Sequence, residues 1–123
     1  MTGKILLAED EEHIAKLVVF KLSKAGYECV WAKNGQEAVD HAQRMRFDLL
    51  ILDIMMPILD GWSVLQKLAD LNIDPFPRVI MLSARSIQRD LAVATRVGVK
   101  HYMRKPFNPN ELLMFVEKVL SES

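Results

Sequence analysis

Glu9-Asp10, Asp53, Ser83 and Lys105-Pro106 each follow a short apolar run, and together they are the residue types of one phosphoryl-transfer site. If the runs are neighbouring parallel strands, these residues converge at one edge of a sheet around a carboxylate that can be phosphorylated. Placing Glu9, Asp10 and Asp53 together costs roughly 3 kcal/mol per pair at about 5 Å and an effective dielectric near 20, so positive charge must accompany them. A hard divalent cation suits these oxygen ligands, and Mg2+ suits a site that keeps some water and meets a phosphoryl group. Asp53 could then attack phosphorus and become an acyl phosphate. Mg2+ and Lys105 would neutralise the transferred oxygens, and Ser83 would donate its hydroxyl to them.

Each residue also has a plainer use. Asp10 could cap a helix that begins with Glu11 and Glu12, Ser83 could cap a strand end, and Lys105-Pro106 could be an ordinary turn, or a cis turn that aims the ammonium inward. Asp53 is harder to explain structurally, because a carboxylate directly after Leu49-Leu50-Ile51-Leu52 must avoid burial without a partner.

The elements that would position these residues alternate. Lys4 to Ala8, Leu49 to Leu52 and Arg78 to Leu82 are nearly continuous apolar runs, as strands covered on both faces require. Glu28 to Ala32 reads as an edge strand and His101 to Arg104 as a short last one. Between them, Ile14, Leu17, Val18, Lys21, Leu22 and Ala25 stripe a first helix that Gly26 would end. Asn34 and Glu37 make a capping pair for a second helix with Ala38, Val39 and Ala42 inward. Asp60 would cap a third, with Val64, Leu65, Leu68 and Leu71 inward and the Pro75/Pro77 segment stopping it; a fourth runs from about Ser86 to Val97. Asn108, Pro109 and Glu111 start a last helix with Leu112, Phe115, Val116, Val119 and Leu120 on its core stripe. Five strands alternating with five helices imply an α/β fold: a five-stranded parallel sheet with right-handed crossovers and helices on both faces.

The chain has 123 residues, half of them hydrophobic, which is enough for one domain with its own core. Sixteen basic and sixteen acidic residues cancel, so no strong field draws nucleic acid or an anionic membrane. Cys29 is alone and gives neither a disulfide nor a metal spacing, no secretory apolar region follows Met1, and Leu49 to Leu59 is too short to span a bilayer. A soluble cytoplasmic protein is the expectation. An FMN carrier on this architecture is disfavoured, since Glu9-Asp10-Glu11-Glu12 would repel a phosphate. A phosphatase is disfavoured as well, because no second carboxylate stands two residues after Asp53 to act as general acid.

In combination and in this order, Ile5 to Glu11, Leu52 to Pro57 with Asp60-Gly61, Ser83-Ala84 and Tyr102 to Phe107 closely resemble the receiver domain of two-component response regulators, over essentially the whole chain 1–123. The resemblance implies the flavodoxin-like strand order 2-1-3-4-5. It also implies Asp53 as phosphoacceptor, Glu9, Asp10, Asp53 and the Met55 carbonyl as the Mg2+ site, Ser83 and Lys105 beside the phosphoryl group, and Ser83 with Tyr102 as a switch pair.

The implied phosphodonor is a sensor histidine kinase or a histidine phosphotransfer protein. The implied output surface lies around the fourth helix, the fifth strand and the last helix, and serves an unspecified partner or effector domain. Arg85, Arg89, Arg96, Lys100 and Arg104 give that region a basic cast. A phosphate-independent module of the same fold is the alternative. The resemblance allows a phosphorylation-dependent dimer, but His101 stands where many receivers carry an acid, and Met114-Phe115 replaces the basic pattern frequent in winged-helix regulators, which argues against a dimer of that style. His13, His41 and His101 show no ligand spacing, and Trp62, just past the Asp53 loop, would be a fluorescent reporter of metal binding.

Met55 and Arg85 lie two residues beyond the phosphoacceptor and the switch hydroxyl, where side chains govern water access. Phosphate is expected to leave more slowly than with small polar residues there. A decay assay comparing the parent with Met55→Asn and Arg85→Ala tests this; equal or slower loss in both variants overturns it.

Overall fold

A computed structural model describes residues 3–84 and 98–122. The helix expected from Ser86 to Val97, with Arg85, Arg89 and Arg96, lies outside the described residues. In chain order the elements are β1 (Lys4–Ala8), α1 (Glu12–Lys24), β2 (Glu28–Ala32), α2 (Gly35–Arg44), β3 (Leu49–Asp53), α3 (Gly61–Asp70), β4 (Arg78–Ser83), β5 (His101–Arg104) and α4 (Pro109–Ser121). The five strands form one sheet in the order β2-β1-β3-β4-β5, every pair parallel. This is the expected order. Among the described residues no helix is long and apolar enough to cross a membrane.

The apolar runs work as two-sided strands because successive side chains enter opposite layers. Leu6, Leu50 and Leu52 pack with Ala38, Val39 and Ala42 of α2 and with Val64, Leu65 and Leu68 of α3. Ile5, Leu7, Leu49 and Ile51 pack on the other face with Ala15, Val18 and Leu22 of α1 and with Leu112, Val116 and Val119 of α4. The expected stripes are corrected in two places. Leu17 is 47% exposed and Ala15 buried, so α1 is rotated by part of a turn from the expected register; Leu71 is 44% exposed because it is already the C-cap of α3.

Helix ends follow local chemistry. Gly26, at φ 101°, closes α1 with Tyr27 N–H donating to the Leu22 carbonyl and Gly26 N–H to Ser23. Asn72, at φ 56°, ends α3 by the same pair of bonds, to Leu68 and Ala69, so the helix stops before Pro75 is reached. Asn34 Oδ1 accepts from Glu37 N–H, while Glu37 Oε1 accepts from Lys33 N–H, one residue earlier than the usual reciprocal cap. Asp60 and Asn108 cap α3 and α4 as expected. The N-cap of α1 is Glu11, without a side-chain bond, so Asp10 does not serve as that cap.

The loop after β3 is pulled tight beneath the sheet edge. Leu59 N–H donates to the Pro57 carbonyl, a γ-turn around Ile58 at φ 73°, a conformation that a β-branched residue rarely adopts. Gly61 N–H donates to the Ile54 carbonyl, and the α3 start sits so close that a Cβ on Gly61 would lie 2.7 Å from the Asp53 carbonyl oxygen and 2.8 Å from Met81 Cε. The methionine end can move, but the backbone oxygen cannot. Gly61→Ala should therefore cost about 1–3 kcal/mol, read as a lower urea midpoint at unchanged slope; a midpoint equal to the parent's would contradict this packing.

Candidate functional site

Parallel register brings the four chain ends to one edge. Ala8 is opposite both Ala32 and Leu52, and Asp53 is opposite Leu82, so Glu9, Asp53 and Ser83 leave their strands side by side. One carboxylate oxygen from each of Glu9, Asp10 and Asp53 lies within 4.8 Å of the others. Glu9 is fully buried, Asp53 is 4% exposed, Ser83 is 2% exposed, and Asp10 faces solvent.

Lys105 carries the compensating charge. Its Nζ donates to Asp53 Oδ2 at 2.7 Å and lies 2.9 Å from Glu9 Oε1. The second contact is an ion pair whose angle falls outside hydrogen-bond geometry, which leaves Glu9 Oε1 buried without a directed donor. The remaining oxygens are held by backbone: Asp53 Oδ1 accepts from Met55 N–H at 3.1 Å, and Glu9 Oε2 from Glu11 N–H at 3.2 Å. The Lys105-Pro106 bond is cis, and Lys105 N–H donates to the Ser83 carbonyl at 2.7 Å.

Burial pushes the Glu9 carboxyl up to about 7; the Asp53 charge adds to this and the Lys105 ammonium opposes it. For Lys105, burial alone would lower the pKa, but the hydrogen bond to Asp53 and the adjacent Glu9 carboxylate overcome it and the net shift is upward. Three carboxylates against one ammonium leave room for a further cation. The donor set, all hard oxygen with one exposed member open to water, fits Mg2+.

The remaining expected residues are placed as follows. Met55 sends its amide to Asp53 and leaves its side chain 52% exposed. Tyr102 is opposite Met81 in β5 and half-buried against the α2/α3 layer. Ala84 is exposed beside Ser83. Trp62 packs partly buried against the core. His101 is more engaged than its spacing suggested, 3.0 Å from Glu122 and edge-on to Phe115. The tryptophan that touches the acidic pair is Trp31, whose Nε1 donates to the Glu9 carbonyl at 2.7 Å. Its position at the carboxyl end of the strand beside β1 was the available signal. A groove of about 560 Å3 at the other end of β4 and β5 is lined in part by His101 and Glu122 and by none of Glu9, Asp10, Asp53, Ser83 and Lys105.

The response regulator receiver domain family matches residues 5–117. The chain belongs to that family. It is 37% identical over its whole length to the alkaline phosphatase synthesis transcriptional regulatory protein PhoP of Bacillus subtilis, covering 50% of that protein. It is 38% identical over 117 residues to the probable transcriptional regulator ycf27 of Porphyridium aerugineum, which is 95% of this chain and 48% of that one. The receiver thus spans about half the length of these curated relatives. Among solved structures, the receiver domain of the Francisella response regulator 1452 superposes with a TM-score of 0.85 at 33% identity, covering 96% of both chains. The Vibrio cholerae chemotaxis response regulator CheY4 gives 0.89 at 31% identity, covering 97% of this chain and 99% of that one.

The raised Glu9 pKa has a sign that can be checked. A carboxyl whose folded pKa lies above its ordinary 4.5 contributes stability that is complete below 4.5 and is lost as pH rises through about 7. Lys105, shifted upward from 10.5, does not titrate in that window. The metal-free receiver should lose up to a few kcal/mol between pH 5 and pH 8, and Glu9→Gln should flatten the profile. Thermal melts across that range check it; parallel profiles would show that Glu9 is not the titrating group.

Proposed function

We propose that residues 1–123 act as a single receiver domain whose Asp53 accepts a phosphoryl group from a phosphohistidine donor, with Mg2+ bound by Glu9, Asp10, Asp53 and the Met55 carbonyl. The observation that carries this reading is the Lys105 ammonium shared between Glu9 and a buried, backbone-oriented Asp53. Bound Mg2+ would offset the charge of the carboxylates and of the transferred oxygens.

An Asp53 oxygen attacks phosphorus, an O–P bond forms as the donor N–P bond breaks, and the leaving imidazole nitrogen takes up a proton. Lys105 meets the negative charge that arrives with the phosphoryl oxygens, and Ser83 stands on the adjacent strand end to donate its hydroxyl. The sensor kinase or phosphotransfer protein that supplies the group has a place to approach. A groove of about 380 Å3 beside Lys105 is lined by Ile14, Leu17, Pro106 and Phe107, and Phe20 on the same helix as Leu17 is 62% exposed.

Ser83 and Tyr102 form the proposed switch pair, on adjacent strands that meet at the register Met81 to Tyr102 and Ser83 to Arg104. Moving an active state from about one-tenth to nine-tenths occupancy needs roughly 2.6 kcal/mol, within reach of one or two charge-assisted hydrogen bonds. The output partner would then read the surface around the predicted Ser86–Val97 helix, β5 and α4. The chemistry is that of a signalling switch, with one phosphoryl group accepted and later lost to water.

Acetyl phosphate with Mg2+ should add one phosphoryl mass to the intact chain, mapped to Asp53. Asp53→Ala should abolish it, Lys105→Met should slow it by about a hundredfold, in the range for loss of an electrostatic stabiliser, and chelation should stop it. Labelling retained in Asp53→Ala would refute the assignment. Identical NMR spectra with and without beryllofluoride would favour a module that signals by binding alone.

A further inference from the structure

We propose that Trp31 is a positioning residue for the acidic pair: its indole N–H locks the Glu9–Asp10 peptide and keeps the carboxylates gathered for a divalent cation. The inference rests on the receiver reading above and extends it to a residue on the edge strand.

Glu9 lies just past the end of β1, where the sheet ladder stops. Its N–H still donates to the Ala32 carbonyl at 3.1 Å, and its C=O receives the Trp31 Nε1–H at 2.7 Å. That C=O belongs to the same planar peptide as the Asp10 N–H, so fixing it fixes the plane from which Asp10 departs. Both bonds come from β2. By contrast, the Asp53 and Lys105 half of the site is tied to β4, through Ile54 N–H to the Leu82 carbonyl and Lys105 N–H to the Ser83 carbonyl.

Repulsion among the three carboxylates drives the two halves apart, and exposed Asp10 has the most room to swing away. The indole resists this from a well-supported seat. The ring is partly buried against the α1/α4 layer, and the Lys33 ammonium stands over it, 5.9 Å from its centroid. Lys33 is itself held through its N–H by Glu37 Oε1 at the start of α2. No phenyl or aliphatic side chain at position 31 could supply the donor.

The test uses the whole chain and Mn2+ as the probe. Trp31→Phe keeps an aromatic ring and removes the donor; Mn2+ affinity measured by electron paramagnetic resonance should weaken about threefold to tenfold, the size of one lost hydrogen bond. The Asp10 amide resonance should move in metal-free NMR spectra. A second variant, with β-(3-benzothienyl)alanine placed at position 31, preserves the ring shape and should reproduce both changes if Trp31→Phe folds poorly. Mn2+ affinity equal to the parent's in a folded variant overturns the role of Trp31 and leaves the receiver reading intact. Absence of Mn2+ binding by the parent chain overturns both. A loss of melting temperature without a change in affinity would assign Trp31 to packing and likewise overturn the proposal.

Discussion

The Lys105 ammonium is the contact on which the site's geometry depends. Glu9 and Asp53 are almost wholly removed from water, and two ionised carboxylates in such a place would repel each other and each lose hydration. One ammonium at 2.7 Å and 2.9 Å offsets both costs and joins three strand ends, since Glu9 follows β1, Asp53 ends β3 and Lys105 follows β5. Removing that charge would do more than delete a contact. It would leave a buried anionic pair whose simplest relief is protonation of Glu9, already biased that way by burial.

The fold makes such a concentration of charge tolerable by keeping the backbone around it fixed. Parallel strands with helices on both faces bury Leu50 to Leu52 completely, so the segment carrying Asp53 has little freedom. Below it the γ-turn at Ile58 and the close seat of Gly61 shorten the return to α3. Strained and close-packed geometry is thus placed in the loop that follows Asp53, next to the carboxylate whose rigidity the proposed reading requires.

Much of this arrangement was legible in the sequence, for identifiable reasons. Two-sided burial leaves unbroken apolar runs, so the strands and the residues at their ends stood out, and the caps at Asn34, Asp60 and Asn108 announced three helix starts. The stripe of α1 was misjudged because Leu17 is apolar yet exposed, and periodicity does not distinguish an apolar residue facing the core from one facing solvent or a partner. Asn72 was missed as a helix end because its left-handed conformation is one a glycine would have signalled openly. Trp31 was missed because its role depends on a neighbour across the sheet, Glu9, that is distant in the chain.

The division of the site between two supports bears on how a signal would leave it. β2 holds the Glu9 backbone, while β4 holds the backbone just after Asp53 and at Lys105; the two halves are joined by the β1–β3 ladder, which ends at Ala8 and Leu52, and beyond it by the carboxylates and the ammonium. On the proposed reading, a phosphoryl group on Asp53 offers Lys105 more and stronger acceptors than Asp53 alone, so the ammonium's share in Glu9 falls and that bridge loosens. Lys105 is bonded by its own N–H to the Ser83 carbonyl, so any shift of its side chain acts on the joint between β4 and β5. On that reading the edge bearing Tyr102 would be mechanically nearer to the event than β2 is, and β2 with its indole would be the fixed side of the site.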